Sequence, residues 1–191
     1  KAIRSFQKSD GSFFMDNFGG AEQFRIGQTA IALMALLHAG VKADDPQVKK
    51  GFEYLRAAFK KTRNALTYDV ALLLMALETK YLPTEKIEDM AKFSEEEARE
   101  ALKKAVSKED LELANDAVKY LLSIQTNKGT WGYGVEQREY NDNSNTQYAL
   151  LGLKSAARLG VQIPNDIWKR SVSRTHRGFP AADLSASSTA R

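Results

Sequence analysis

One seven-residue pattern occurs twice and limits what this chain can fold into. Gln7-Lys8-Ser9-Asp10-Gly11-Ser12-Phe13 and Gln125-Thr126-Asn127-Lys128-Gly129-Thr130-Trp131 both read Gln, three polar residues, Gly, one residue, an aromatic. Each precedes a helix-patterned stretch of the same kind: Gln28-Thr29-Ala30-Ile31-Ala32-Leu33 leads to Gly40-Val41, and Gln147-Tyr148-Ala149-Leu150-Leu151 leads to Gly160-Val161. A third stretch, Thr67-Tyr68-Asp69-Val70-Ala71-Leu72, lacks the aromatic turn but aligns with Gln28 to Leu33. Self-similarity over tens of residues is the mark of stacked units, each burying its apolar face only against its neighbours. The expectation is an all-α chain of paired helices.

The helices alternate in character. Residues 26–39 are apolar nearly all round, which suits a helix enclosed by others, and 64–80 repeat that composition with Leu72, Leu73, Leu74, Met75 and Leu77. Between them Asp45-Pro46 is a helix start, a capping carboxylate followed by proline at the first helical position. The helix it opens carries Val48, Phe52, Leu55 and Phe59 on one stripe and charges elsewhere, as an outer helix requires. A second such helix begins at Ser107-Lys108-Glu109-Asp110 and carries Val118, Leu121, Leu122 and Gln125 on one face; Lys128-Gly129 is expected to stop it. The next inner helix is expected to open at Ser144, with Gln147 completing a capping box, and Asp142 is read as a turn residue before it. Pro164-Asn165-Asp166 starts a further outer helix with Ile167, Trp168 and Val172. Residues 84–108 interrupt the pattern, are charge-rich, and read as an inserted helical hairpin capped at Ser94. From 174 to 191 the sequence is small, polar and without period, and is expected to be an irregular tail.

The Gln125–Trp131 block after Tyr120-Leu121-Leu122 resembles the QW motif of squalene and oxidosqualene cyclases. The helices at Gln28-Thr29-Ala30 and Gln147-Tyr148-Ala149 are similar to inner helices of the wider terpene cyclase and protein prenyltransferase superfamily. The resemblance covers residues 1–173 and implies an α/α toroid: an inner ring of helices around an apolar cavity, with an outer ring antiparallel to it. Under it, Gln7, Gly11, Phe13, Gln125, Gly129 and Trp131 are structural turn residues, and Tyr68, Asp69, Asp142 and Tyr148 are candidates to line the cavity. Three inner helices are too few to close such a ring. The chain also opens at Lys1 just before a turn, so it reads as part of a longer protein, with an open solenoid as the alternative.

Composition excludes several classes of function. The 191 residues include 28 basic and 24 acidic side chains, net +4, mixed along the chain rather than gathered in a stripe, so nucleic acid is not an expected partner. No apolar run approaches the roughly 18 residues of a membrane-spanning helix. There is no cysteine, and hence no disulfide framework, thiol nucleophile or Cys-containing zinc site. Protein prenyltransferases bind zinc through Asp, Cys and His; with His38 and His176 as the only histidines, no metal or other cofactor is expected.

The resemblance also locates where acid chemistry should reside. Squalene–hopene-type cyclases protonate a double bond with a carboxylic acid in a D-x-D-D-T-A motif, kept protonated by burial and neighbouring carboxylates. The nearest stretch is Asp142-Asn143-Ser144-Asn145-Thr146, where Ser144 and Asn145 stand in place of the paired acids. Aligned on Thr-Ala instead, the pair falls on Gly27 and Gln28, or on Thr146 and Gln147. No register leaves a carboxylate pair. Asp69, alone in an apolar helix where its counterparts are Ala30 and Ala149, would need a partner, with Tyr68 and Arg63 nearest in sequence.

The expected function is therefore a non-catalytic repeat domain, a binding or scaffold module that meets an apolar isoprenoid-like ligand, a protein partner or the remaining repeats of its own protein. The alternative is a fragment of a terpenoid cyclase whose acid motif lies elsewhere. Inner helices with open edges should expose Leu, Ile and Met side chains and favour self-association.

Overall fold

The computed structural model describes residues 2–14, 24–62, 64–82, 95–136 and 142–175. A 3-10 turn at Ile3–Phe6 precedes seven α-helices among these residues: α1 (Arg25–His38), α2 (Pro46–Lys61), α3 (Thr67–Tyr81), α4 (Glu95–Ala105), α5 (Lys108–Ile124), α6 (Asn143–Arg158) and α7 (Asn165–Thr175). No strand occurs among them, only an isolated antiparallel bridge between Gln7 and Phe13. No helix among them is long and apolar enough to cross a membrane.

The apolar pattern decides which helix is central. Along α3 only the second, ninth, fourteenth and fifteenth residues escape full burial, because it packs against α1 on one flank and α6 on the other, with α4 and α5 also touching it. The rings of Tyr68 and Tyr148 meet near the starts of α3 and α6, Ala71 backs onto Gly152, and Glu78 pairs with Arg158 near the ends. Contacts in that order mean that α3 and α6 run the same way. The amphipathic helices α2 and α5 bury Val48, Phe52 and Leu55, and Leu113, Val118 and Leu121, in the same core. Ile31 on α1 and Leu151 on α6 are 51% and 42% exposed, apolar side chains on the two helices that flank α3.

Several boundaries differ from the sequence reading, each for a local reason. Asp45 does cap α2, accepting from the Gln47 amide at 2.9 Å, and Ser107 caps α5 through the Asp110 amide at 3.2 Å. But α3 begins at Thr67 rather than Asn64, since the Thr67 amide donates outside the helix to the Tyr133 carbonyl at 2.8 Å. Helix α5 stops at Ile124, with Gln125 extended at its end, so Lys128-Gly129 is not its terminator. Asp142, not Ser144, caps α6: its carboxylate accepts from the Ser144 amide at 2.7 Å and the Asn145 amide at 3.3 Å, and the Ser144 hydroxyl donates to it. Of the inserted hairpin, α4 is seen, with Leu102 buried; the other arm and Ser94 lie outside the described residues. So do Phe18, Gly19-Gly20, Arg63 and 176–191, while α7 continues through Thr175, past the expected boundary at 174.

Candidate functional site

The two aromatic turns are built by the same hydrogen bonds. Gln7 Nε2 donates to the Gly11 carbonyl at 3.1 Å, as Gln125 Nε2 does to Gly129 at 3.3 Å. The Lys8 amide reaches the Ser12 carbonyl and the Thr126 amide the Thr130 carbonyl, both at 2.9 Å. The amide of the aromatic residue then ties each turn to the following helix: Phe13 N–H to Thr29 Oγ1 at 3.1 Å, Trp131 N–H to Thr146 Oγ1 at 3.0 Å. Gly129 has φ +78, and a Cβ there would stand 2.5 Å from the Arg170 carbonyl oxygen; Gly11, at φ +95, backs onto Lys50 in the same manner. Left-handed backbone against a helix leaves only glycine at these positions. The same Nε2 of each Gln also donates to the following amphipathic helix, Gln7 to the Gln47 carbonyl at 2.8 Å and Gln125 to Ser171 Oγ at 3.3 Å. It is thus the aromatic residue's amide, rather than the Gln side chain, that meets the next helix in the chain, α1 or α6.

The second turn delivers Tyr133 to the starts of α3 and α6, where Tyr68 and Tyr148 lie. Gly132 and Tyr133, immediately after Trp131, are pinned by Thr67, whose hydroxyl donates to the Gly132 carbonyl at 2.6 Å. Ring centroids of Tyr68 and Tyr148 lie 4.6 Å apart, and Tyr133 stands 6.3 Å from Tyr68. The charge of Asp142 beside Tyr133 raises its phenol above the ordinary value, while Asp142 itself is held below the usual carboxylate range, chiefly by the Ser144 hydroxyl. Two of the four expected cavity residues, Tyr68 and Asp142, therefore lie beside Tyr133, which sequence reasoning did not single out, and a third, Tyr148, meets Tyr68. Its position two residues after Trp131 was the available signal.

An open cleft of about 520 Å³ adjoins this group, lined by Phe24, Asn64, Leu66, Tyr133, Gly134, Val135 and Glu136. Phe24, Tyr133 and Val135 are each more than one-third exposed. Glu136, the carboxylate in that lining, is exposed and accepts from Asn64 Nδ2 at 3.0 Å.

Asp69 sits apart from the cleft surface. It is 2% exposed, in the contact between α3 and α1, and accepts from the Gly27 amide at 2.8 Å. A Cβ on Gly27 would fall 2.5 Å from Asp69 Oδ1, so only glycine lets the helices approach this closely. Burial drives its carboxyl up to about 7, against the opposing effect of the Gly27 and Leu66 amides. Its hydrogen-bond partner is therefore the Gly27 backbone amide rather than the expected Tyr68, and Arg63 lies outside the described residues.

A second buried acid went unrecognised. Asp110, fully enclosed, accepts from Arg56 at 2.5 Å, Lys80 at 2.5 Å and the Tyr81 hydroxyl at 2.6 Å, joining α2, α3 and α5. Burial opposes its charge, but these donors prevail and hold it below the usual carboxylate range. Among the described residues no group of three or more His, Cys, Asp or Glu side chains could hold a metal ion. No protein-family model matches this chain, and no curated protein or solved structure is significantly similar to it.

Proposed function

We propose that this chain is a non-catalytic α/α repeat domain of the squalene cyclase and prenyltransferase type, part of a larger protein, which binds an apolar isoprenoid-like ligand at the cleft between Phe24 and Tyr133. The observation that carries the binding reading is the convergence of Phe24, Leu66, Tyr133 and Val135 on one cleft, with Tyr133 against Tyr68, whose ring in turn meets Tyr148. Its size falls within the roughly 300–1,000 Å³ of small-molecule sites, and its lining joins apolar and aromatic surface to a few polar groups. The like hydrogen bonding of the two turns and the parallel course of α3 and α6 support the repeat reading. The non-catalytic reading rests on where the acids are. Asp142 is ionised and spent on a helix cap, and Asp69 faces a neighbouring helix rather than the cleft. Calorimetric titration with farnesol tests the site: saturable binding weakened at least about tenfold by Tyr133→Ala is expected. No saturable binding to the unaltered chain would overturn the ligand reading.

One observation favours an enzyme instead. Asp69 is a carboxyl group whose burial keeps it largely protonated up to neutral pH, as an acid-initiated cyclisation requires. Under that reading, incubation with squalene gives cyclised products that vanish in Asp69→Asn. The binding reading expects no product from either protein.

A further inference from the structure

The cap residue of α1 is Phe24 and that of α3 is Leu66, and both line the same cleft. Behind them, a single carboxylate joins the two helix starts. Asp69, in the first turn of α3, accepts from the amide of Gly27 in the first turn of α1 at 2.8 Å, and the amide of its own cap residue Leu66 also favours its charge. We propose that Asp69 is a proton-controlled clasp between the starts of α1 and α3, and that its ionisation widens the cleft between Phe24 and Leu66. The cleft's role in binding rests on the function proposed above; the clasp stands on the α1–α3 geometry alone.

Two opposed effects act on this carboxyl group. A carboxylate at paired helix starts receives amide hydrogens and the positive ends of two helix dipoles. Yet it lies in a contact closed to water, and a buried charge without a counter-charge is costly. Asp69 has no ion-pair partner among the described residues. Among the described residues the ionisable groups acting with it are two phenols, Tyr54 from α2 and Tyr120 from α5, and burial together with the Asp69 charge pushes both away from ionising. Arg25 of α1 acts on Tyr54 rather than on Asp69, and neither α4 nor α6 contributes a described charge that acts on it. Burial therefore prevails, and the group exchanges its proton near neutral pH. The protonated form keeps an acceptor for the Gly27 amide and removes the uncompensated charge. The ionised form gains from hydration, which requires α1 and α3 to part where the carboxylate lies, at the cleft end. Acid closes the clasp and alkali loosens it.

The absence of cysteine in the chain makes a clean test available. Leu66→Cys places a single thiol in the cleft, and its rate of labelling by a water-soluble maleimide is followed from about pH 5 to about pH 9 with Asp69 present and with Asp69→Asn. The ratio of the two rates cancels the thiol's own titration. It is expected to rise several-fold through neutrality, and a flat ratio overturns the proposal. Should Asp69→Asn fail to fold, the amide resonance of Gly27 in the unaltered chain decides. Titration with a midpoint near neutral pH supports the clasp, and a midpoint near that of an ordinary carboxylate, or no titration, refutes it. Farnesol binding is measured separately, so its failure removes the ligand reading and leaves the clasp result standing.

Discussion

The Trp131 indole N–H donates to the Leu121 carbonyl at 2.9 Å, and the ring itself is fully buried. Leu121 lies in the last turn of α5, where carbonyls have no intrahelical partner. One side chain thus fills the core and caps the helix that precedes it. The aromatic end of the turn is a structural device, with its two contributions separable by mutation.

Trp131→Ala should lower unfolding free energy by about 3–5 kcal/mol through loss of the buried ring. Trp131→Phe keeps most of the body but leaves the Leu121 carbonyl unpaired, at about 1–3 kcal/mol. Urea unfolding of both variants checks the order; equal losses would show that the indole N–H, not the ring, carries the effect.

Asp69 predicts a stability that falls as pH rises. Its folded value, about 7, lies above the ordinary 3.8, so its contribution is complete below the unfolded value and disappears as pH climbs through the folded one. The difference corresponds to at most about 4 kcal/mol between those limits. Denaturant unfolding at about pH 5 and pH 8 should show the loss, and Asp69→Asn should remove it. A pH-independent difference between the two proteins would contradict this account.

Asp110 works in the opposite direction. Its folded value is depressed, so its contribution is present above the unfolded value and lost as pH falls through the folded one. For these two groups stability should therefore peak near the ordinary aspartate value of 3.8, above which Asp69's contribution declines and below which that of Asp110 does. Asp110→Ala leaves Arg56 and Lys80, only 29% and 19% exposed, without their shared acceptor. A loss of about 3–5 kcal/mol in urea unfolding is expected, whereas removing the exposed Lys119–Asp116 pair should cost under about 1 kcal/mol.

How much of this could be read from the sequence depends on how far each signal reaches. Asp45-Pro46 and Ser107 announce helix starts because cap and helix are adjacent. The unbroken apolar run of α3 announced a helix enclosed by others. At α6 the sequence pointed to Ser144 as the cap and to Asp142 as a turn residue, but Asp142 is the cap because its carboxylate reaches both the Ser144 and Asn145 amides. The partners of Asp110 come from α2 and α3, as much as 54 residues away, and no local pattern encodes that meeting. Asp69 stood out as an acid in an apolar helix. Its partners did not, because every residue but proline carries the amide that binds it. Tyr133 became part of the site only when the Trp131 turn brought it beside Tyr68.

The contest between caps has its own test. Asp142→Ala should destabilise the chain by about 0.5–2 kcal/mol, as for other lost N-caps. Ser144→Ala removes a hydroxyl that donates to Asp142 but leaves the cap in place, so its loss should be the smaller. The reverse order in thermal unfolding would restore Ser144 as the cap.

Asn145, in the first turn of α6, is fully buried, and neither side-chain amide atom has a hydrogen-bond partner among the described residues. Its backbone amide is used by Asp142, so the unmet demand is confined to the side chain. Leucine has the same number and branching of heavy atoms and no polar group to satisfy. Asn145→Leu should therefore stabilise the chain by about 1–3 kcal/mol, the cost of leaving a buried polar group unpaired. Asn145→Asp should do the reverse, placing a charge where even the amide lacks a partner. Urea unfolding of the two variants gives the answer. If Asn145→Leu proves destabilising, the amide must be satisfied in solution by water or by a bound polar group, and the start of α6 then becomes part of a polar site rather than core.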